Sequence, residues 1–182
     1  MKTVRHIFAL PLLLALAVSC TPSRPTPVTP TYSFDLGYVT RYGAFYADEG
    51  LPNNVYMLDI YSPGLRLNHQ GYMEGSGYNL CLSDVFTLPT DSVLQEGVTY
   101  EMDTTGRADS FLPGQDFEGN INGAYLLDIK DAKISSITLF SHGTFVLSNE
   151  GDTTNIVFEF ITTDRQSFKA TFRAPLYYIK SK

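Results

Sequence analysis

The chain has 182 residues, a formal net charge of -6 at pH 7, 43% hydrophobic residues and no tryptophan. That length fits one domain, able to bury roughly 70% of its unfolded surface and so to fold without disulfides. An acidic balance with no Lys/Arg cluster argues against a nucleic-acid partner, and against an anionic membrane surface held by charge. Twelve Tyr and twelve Phe suit half-buried pleated surfaces, while 14 Gly and 10 Pro supply many turns. The composition favours an all-β protein.

Residues 1–19 read as a signal peptide. Lys2 and Arg5 give a basic start, Ile7 to Val18 is apolar, and the run is short for a membrane span. Ala17-Val18-Ser19-Cys20, followed by Thr-Pro-Ser, resembles a bacterial lipobox. That motif implies cleavage before Cys20 and a diacylglyceryl group on its sulfur. Ordinary cleavage near Ser19, with Cys20 left as a free thiol, is the alternative. Removing the leader deletes Lys2 and Arg5 but no acid, so the remainder is more acidic still. Residues 20–30 carry Pro22, Pro25, Pro27 and Pro30 and are expected to form a stiff tether. Residues 31–182 are expected to be a single antiparallel β-domain.

Tyr32, Phe34, Leu36, Tyr38, Tyr42 and Tyr46 share one parity, which predicts a long strand, or two joined by a bend, displaying a tyrosine ladder. After a turn at 48–54, Val55–Ser62 alternates with Tyr56, Leu58 and Ile60 opposite Met57, Asp59 and Tyr61. Pro63–Ser76 is dense in structure breakers and is expected to be a functional or mobile loop. Strands follow at 77–88 and 98–103, a long polar stretch at 104–122, and strands at 124–129 and 134–140. Ser141–Leu176 closes the chain as a three-strand meander. Its inner face is Phe145, Leu147, Ile156, Phe158, Phe160, Phe168, Ala170 and Phe172; Thr144, Glu159, Lys169, Thr171 and Arg173 face water. About eight to ten strands with mostly short links predict an antiparallel meander barrel, with a two-sheet β-sandwich as the alternative.

Four features carry a resemblance to known proteins: the lipobox, Gly75-Ser-Gly-Tyr-Asn-Leu-Cys-Leu, Leu94-Gln-Glu-Gly-Val-Thr-Tyr, and Gly143-Thr-Phe-Val-Leu with its two hairpins. The chain is similar to small envelope lipoproteins of Bacteroidetes, many with lipocalin-like or calycin-like β-barrels. The resemblance implies a calycin-like barrel lipid-anchored to the outer membrane, and it carries no catalytic residues. Surface-bound lipoproteins of that group tend to carry acids soon after the lipidated Cys. Thr21-Pro-Ser-Arg24 carries none, which points to a periplasm-facing protein.

Chemistry is sparse. Asp116, Glu118, Asn120 and Asn122 alternate as calcium ligands do, but Ile121 and Leu127 stand where that loop needs Gly and Glu, so a polar turn is expected. His69 and His142 make no zinc set, and Cys81 has neither a partner nor a nucleophile motif. Acid pairs Asp48/Glu49 and Glu150/Asp152 fall in predicted turns. No metal, cofactor or enzymatic activity is expected. Tyr38, Tyr42 and Tyr46 are the candidate ligand-binding residues, because tyrosine offers a flat ring and a hydroxyl to a small amphipathic molecule or a glycan. In a barrel they would line its interior or mouth. The alternatives are an assembly protein that binds a protein partner by an exposed strand edge, and a hydrolase working through loop carboxylates.

Overall fold

A computed structural model describes residues 31–180, with the side chain of Lys180 set aside. The expectations for the signal peptide, Cys20 and the tether lie outside the described residues. Within them the chain is all-β. The strands are β1 (Thr31–Phe34), β2 (Leu36–Gly43), β3 (Asn54–Tyr61), β4 (Leu65–Leu67), β5 (Met73–Gly75), β6 (Gly77–Thr87), β7 (Thr99–Met102), β8 (Ser110–Phe111), β9 (Gln115–Phe117), β10 (Asn120–Asn122), β11 (Ala124–Lys130), β12 (Lys133–Glu150), β13 (Thr153–Thr162), β14 (Ser167–Ala174) and β15 (Leu176–Lys180). A single 3-10 turn spans Ala47–Glu49.

The strands close into a barrel, which decides between the two architectures that alternation alone left open. β2, β3 and β6 pair in antiparallel succession. β6 is joined to β12 through β11 along one half, and through β8 and β7 along the other. β12, β13 and β14 form the expected C-terminal meander, with Phe145 opposite Phe158 and Phe158 opposite Ala170. The ring then closes on itself in parallel. β1 pairs with β14, Thr31 opposite Lys169 to Phe34 opposite Phe172, and β2 pairs with β15, Leu176 opposite Gly37 to Lys180 opposite Arg41. Only Asp35 separates β1 from β2, and only Pro175 separates β14 from β15. Pro175 interrupts the last strand without ending it: a proline removes one ladder donor, and the chain resumes pairing directly after it. The three-strand meander expected over Ser141–Leu176 did not include β15.

Phenylalanines fill the barrel. Tyr100 stacks on Phe145 at 4.5 Å with planes 4° apart. From there contacts run through Phe158, Phe160 and Phe140 to Phe168, with centroids 4.8–5.8 Å apart. Tyr32 caps this spine, stacked on Phe168 at 4.7 Å and edge-on to Tyr78 at 5.0 Å. Each such aromatic pair is worth about 0.5–1.5 kcal/mol beyond simple area burial. An eight-strand-sized barrel has room for packed side chains or for one small ligand, and here the rings take the space.

Two expected loops are built structure. β4 and β5 form a hairpin lying on the outer wall, where Leu65, Leu67 and Met73 join a second apolar cluster with Tyr61, Leu127 and Ile129. Arg66 ties it to Asp35 at 3.2 Å. Gly75 has φ +93°, and a Cβ there would meet the Gly64 carbonyl oxygen at 2.1 Å, so the hairpin accepts no side chain at that point. The polar stretch 104–122 contains β8, β9 and β10. The separate strands expected at 134–140 and from Ser141 onward are one continuous strand, β12, with a register shift between Phe140 and His142. A bulge bends the strand there without needing a turn.

Candidate functional site

The tyrosine ladder does not share one face. Tyr32 and Phe34 point inward, but pairing to the C-terminal strand slips by one residue across Asp35, and Gly37 and Val39 take the inner positions beyond it. With a side-chain period of two, a one-residue slip moves every later residue to the opposite face. Tyr38 and Tyr42 therefore lie on the outer wall. The expectation that the ladder lines the interior or mouth holds for Tyr32 and is overturned by this slip for Tyr38 and Tyr42. Tyr38 packs among Tyr61 and Tyr177, at 6.3 and 5.8 Å.

Tyr42 and Tyr46 do come together, outside the barrel. Gly43, at φ +70°, turns the chain off the end of β2, and the 3-10 turn carries Phe45 and Tyr46 back over the wall. Tyr42, Phe45, Tyr46, Val55, Met57, Ser83, Asp84 and Asn122 line a groove of about 340 Å³. Phe45 stands nearly perpendicular to Tyr46, at 88° with centroids 4.9 Å apart, and at 64° to Tyr42 with centroids 6.1 Å apart. Phe45 is 64% exposed and Tyr42 39% exposed, so two large rings meet water here.

Asp84 is the groove's carboxylate. It accepts hydrogen bonds from the Tyr46 hydroxyl and the Ser83 hydroxyl, both at 2.8 Å, one on each oxygen. Ser83 in turn accepts from the Gly123 N–H at 2.6 Å, which ties the floor of the groove to the start of β11. Burial, followed by the hydrogen bond to Asp84, pushes the Tyr46 hydroxyl up to about 12, so it stays a donor. Of the three tyrosines singled out in the sequence, Tyr42 and Tyr46 line this groove and Tyr38 does not. Phe45, Ser83, Asp84 and Asn122 were missed, because nothing local marks residues that only strand pairing assembles.

Next to this groove the outer wall carries a polar row. Register places Asp59 beside Tyr38 on one side and Cys81 on the other, with Tyr125 beyond Cys81. Asp59 accepts from the Tyr61 hydroxyl and, at 2.5 Å, from the Asn79 side-chain amide. Burial holds the Asp59 carboxyl above its ordinary value, partly offset by those two donors. Burial, then the Asp59 charge, pushes the Cys81 thiol up to about 12, while Tyr125 works the other way. A thiol held so high is a poor nucleophile. Cys81 is a small residue packed in a strand wall.

The remaining sequence candidates lie in turns or on strands. Asp116 accepts from the Gly119 N–H at 2.7 Å and so shapes the turn between β9 and β10. Glu150 pairs with Arg173 at 3.2 Å, while Asp48 and Glu49 are exposed on the 3-10 turn. His142 is exposed, with its Nδ1 3.1 Å from the Ser141 hydroxyl. Among the described residues no group of three or more His, Cys, Asp or Glu is placed to hold a metal ion.

Fold and groove together define a class: a small all-β protein whose closed barrel is filled with aromatic side chains and which carries a ring-lined groove on its outer wall. Compared with protein-family models, curated proteins and solved structures, the chain matches none.

Proposed function

We propose that this protein is a non-enzymatic binding module of the cell envelope, lipid-anchored through Cys20, taking a small amphipathic or glycan ligand in the outer groove. The observation that carries the reading is the corner of rings, exposed Tyr42 and Phe45 with half-buried Tyr46, set beside Asp84 around one concavity. Large apolar rings with a few convergent polar groups are the usual makings of a small-molecule site. In this reading the protein is a periplasm-facing outer-membrane lipoprotein with a calycin-like barrel, as its resemblance to Bacteroidetes envelope lipoproteins implies.

The test is NMR titration with a panel of amphiphiles and oligosaccharides, comparing wild type with Phe45→Ala. Shifts confined to residues 42–46 and 83–84 and lost in Phe45→Ala support the reading; a panel that moves no amide there refutes it. The address is tested separately. Cys20→Ala should shift the protein from the membrane fraction to a soluble or unprocessed form, and a wild type already soluble would refute the anchor.

An assembly role is the second reading, favoured by one observation. In β12, Lys133–Thr138 pairs with β11 on one side only, and Ile134 and Ile137 are 55% and 43% exposed. Such an edge is a template for an added strand from a protein partner. Deletion of partner capture by Ser136→Pro, with the groove unaffected, would favour this reading over the first.

A further inference from the structure

The groove's wall geometry narrows the ligand class, and the narrowing rests on the proposed function above. A sugar ring stacks on one flat aromatic face, or on several faces laid roughly in one plane. The rings here do the opposite. Phe45 is 88° from Tyr46 and 64° from Tyr42, so the three make the sides of a corner. A concavity bordered by rings in steeply inclined planes suits a compact group, which can lie over an exposed ring face within reach of its quadrupole.

The other linings agree in sign. Asp84 supplies a carboxylate whose two oxygens are oriented by Tyr46 and Ser83, each retaining capacity to face the groove. Met57 and Val55 add apolar, polarizable surface, and Asn122 adds one amide. No Lys or Arg lines the groove. The whole chain is acidic, at -6, so the field around it draws cations and repels anions. An anionic ligand would meet this carboxylate with nothing to compensate it. A neutral glycan would leave the corner shape unexplained.

We infer that the groove binds an organic cation, specifically an alkylated ammonium group seated among Tyr42, Phe45 and Tyr46 with Asp84 as counter-charge. The apolar substituents of such a group fill the corner and its charge faces both the ring quadrupoles and the carboxylate. A cation of this kind is weakly hydrated, so the half-open groove does not have to strip a tight water shell from it. The same chemistry occurs on a free alkylammonium compound and on a choline-type lipid headgroup.

The experiment compares choline with its uncharged carbon isostere, 3,3-dimethylbutan-1-ol, on the full chain by calorimetry and amide NMR shifts. Choline should bind at least tenfold more tightly than the isostere and should weaken with added salt, while the isostere should not. Phe45→Ala should weaken choline at least fivefold; because Phe45 is 64% exposed, the fold should survive this change, and a melting curve verifies it. Asp84→Asn should abolish the preference for choline over the isostere. A parallel arm with phosphatidylcholine vesicles separates a lipid headgroup from a free compound, and binding in either arm satisfies the assignment.

Equal binding of choline and isostere, both lost in Phe45→Ala, would overturn the cation assignment while leaving the groove a binding site. Absence of any response to choline, isostere or the wider panel would overturn both.

Discussion

Phe158→Ala is expected to destabilise the fold by about 3–5 kcal/mol, the usual cost of truncating a fully buried aromatic side chain. Phe158 is 0% exposed and lies at the centre of the meander, opposite Phe145 on one side and Ala170 on the other. Its ring is 5.8 Å from Phe145 and 5.7 Å from Phe160. Those neighbours belong to the continuous ring spine, and Ala170 is too small to move in and fill the void. The loss should therefore sit toward the upper part of that range. For a chain of this size each kcal/mol moves the melting temperature by about 2–4 °C, so a shift of roughly 10 °C or more is expected. The control is Glu159→Ala, one residue on and facing water. Glu159 pairs with Lys169 at 2.7 Å, with both side chains more than half exposed, and such pairs contribute about 0–1 kcal/mol. Urea unfolding of both variants, monitored by tyrosine fluorescence and circular dichroism, gives the two values. Equal losses at 158 and 159, or a Phe158→Ala loss below about 1 kcal/mol, would refute the packed-barrel account.

Gly37→Ala should cost about 1–3 kcal/mol by overpacking, because a Cβ there would meet Leu176 and Phe172 side-chain atoms at 2.8 Å; equilibrium unfolding checks it. Cys81 should resist iodoacetamide at pH 8 in the folded protein and react once denaturant is added, as mass spectrometry of its peptide would show; it is 3% exposed and its thiol is pushed up to about 12. Asp59 holds its proton to higher pH in the fold than in the unfolded chain, so stability should fall as pH rises from about 4 until Asp59 has ionised. Asp59→Asn should flatten that slope in melting curves taken from pH 4 to pH 8.

Much of the barrel was legible because alternation reports faces wherever a strand is regular. Tyr56, Leu58 and Ile60, then Phe158 and Phe160, then Phe168 and Phe172 all point inward as their parity requires. The reading failed where a single extra residue changes the phase. Asp35 separates Phe34, inside, from Gly37 and Val39, also inside, and no local pattern announces such a slip. The continuity of β12 through Ser141 and the resumption of β15 after Pro175 failed for the same reason: a bulge and a proline look like ends when pairing partners are not in view. The groove was half legible. Tyr42 and Tyr46 stood out as tyrosines, but Asp84 reaches them only through the pairing of β3 with β6, and Asn122 from further along the chain still.

The parallel seam that closes the barrel also sets a direction. β1 and β2 run the length of the wall, so the chain arrives at Thr31 beside the Tyr32 cap and reaches the groove at Tyr42 only at the far end. Eleven residue steps at about 3.3 Å, reduced for the tilt of strands in a barrel, separate the two by roughly 25–35 Å. Contacts made at the Tyr32 end would therefore leave the corner of rings free at the other, and a solute approaching from that side would meet Phe45 first.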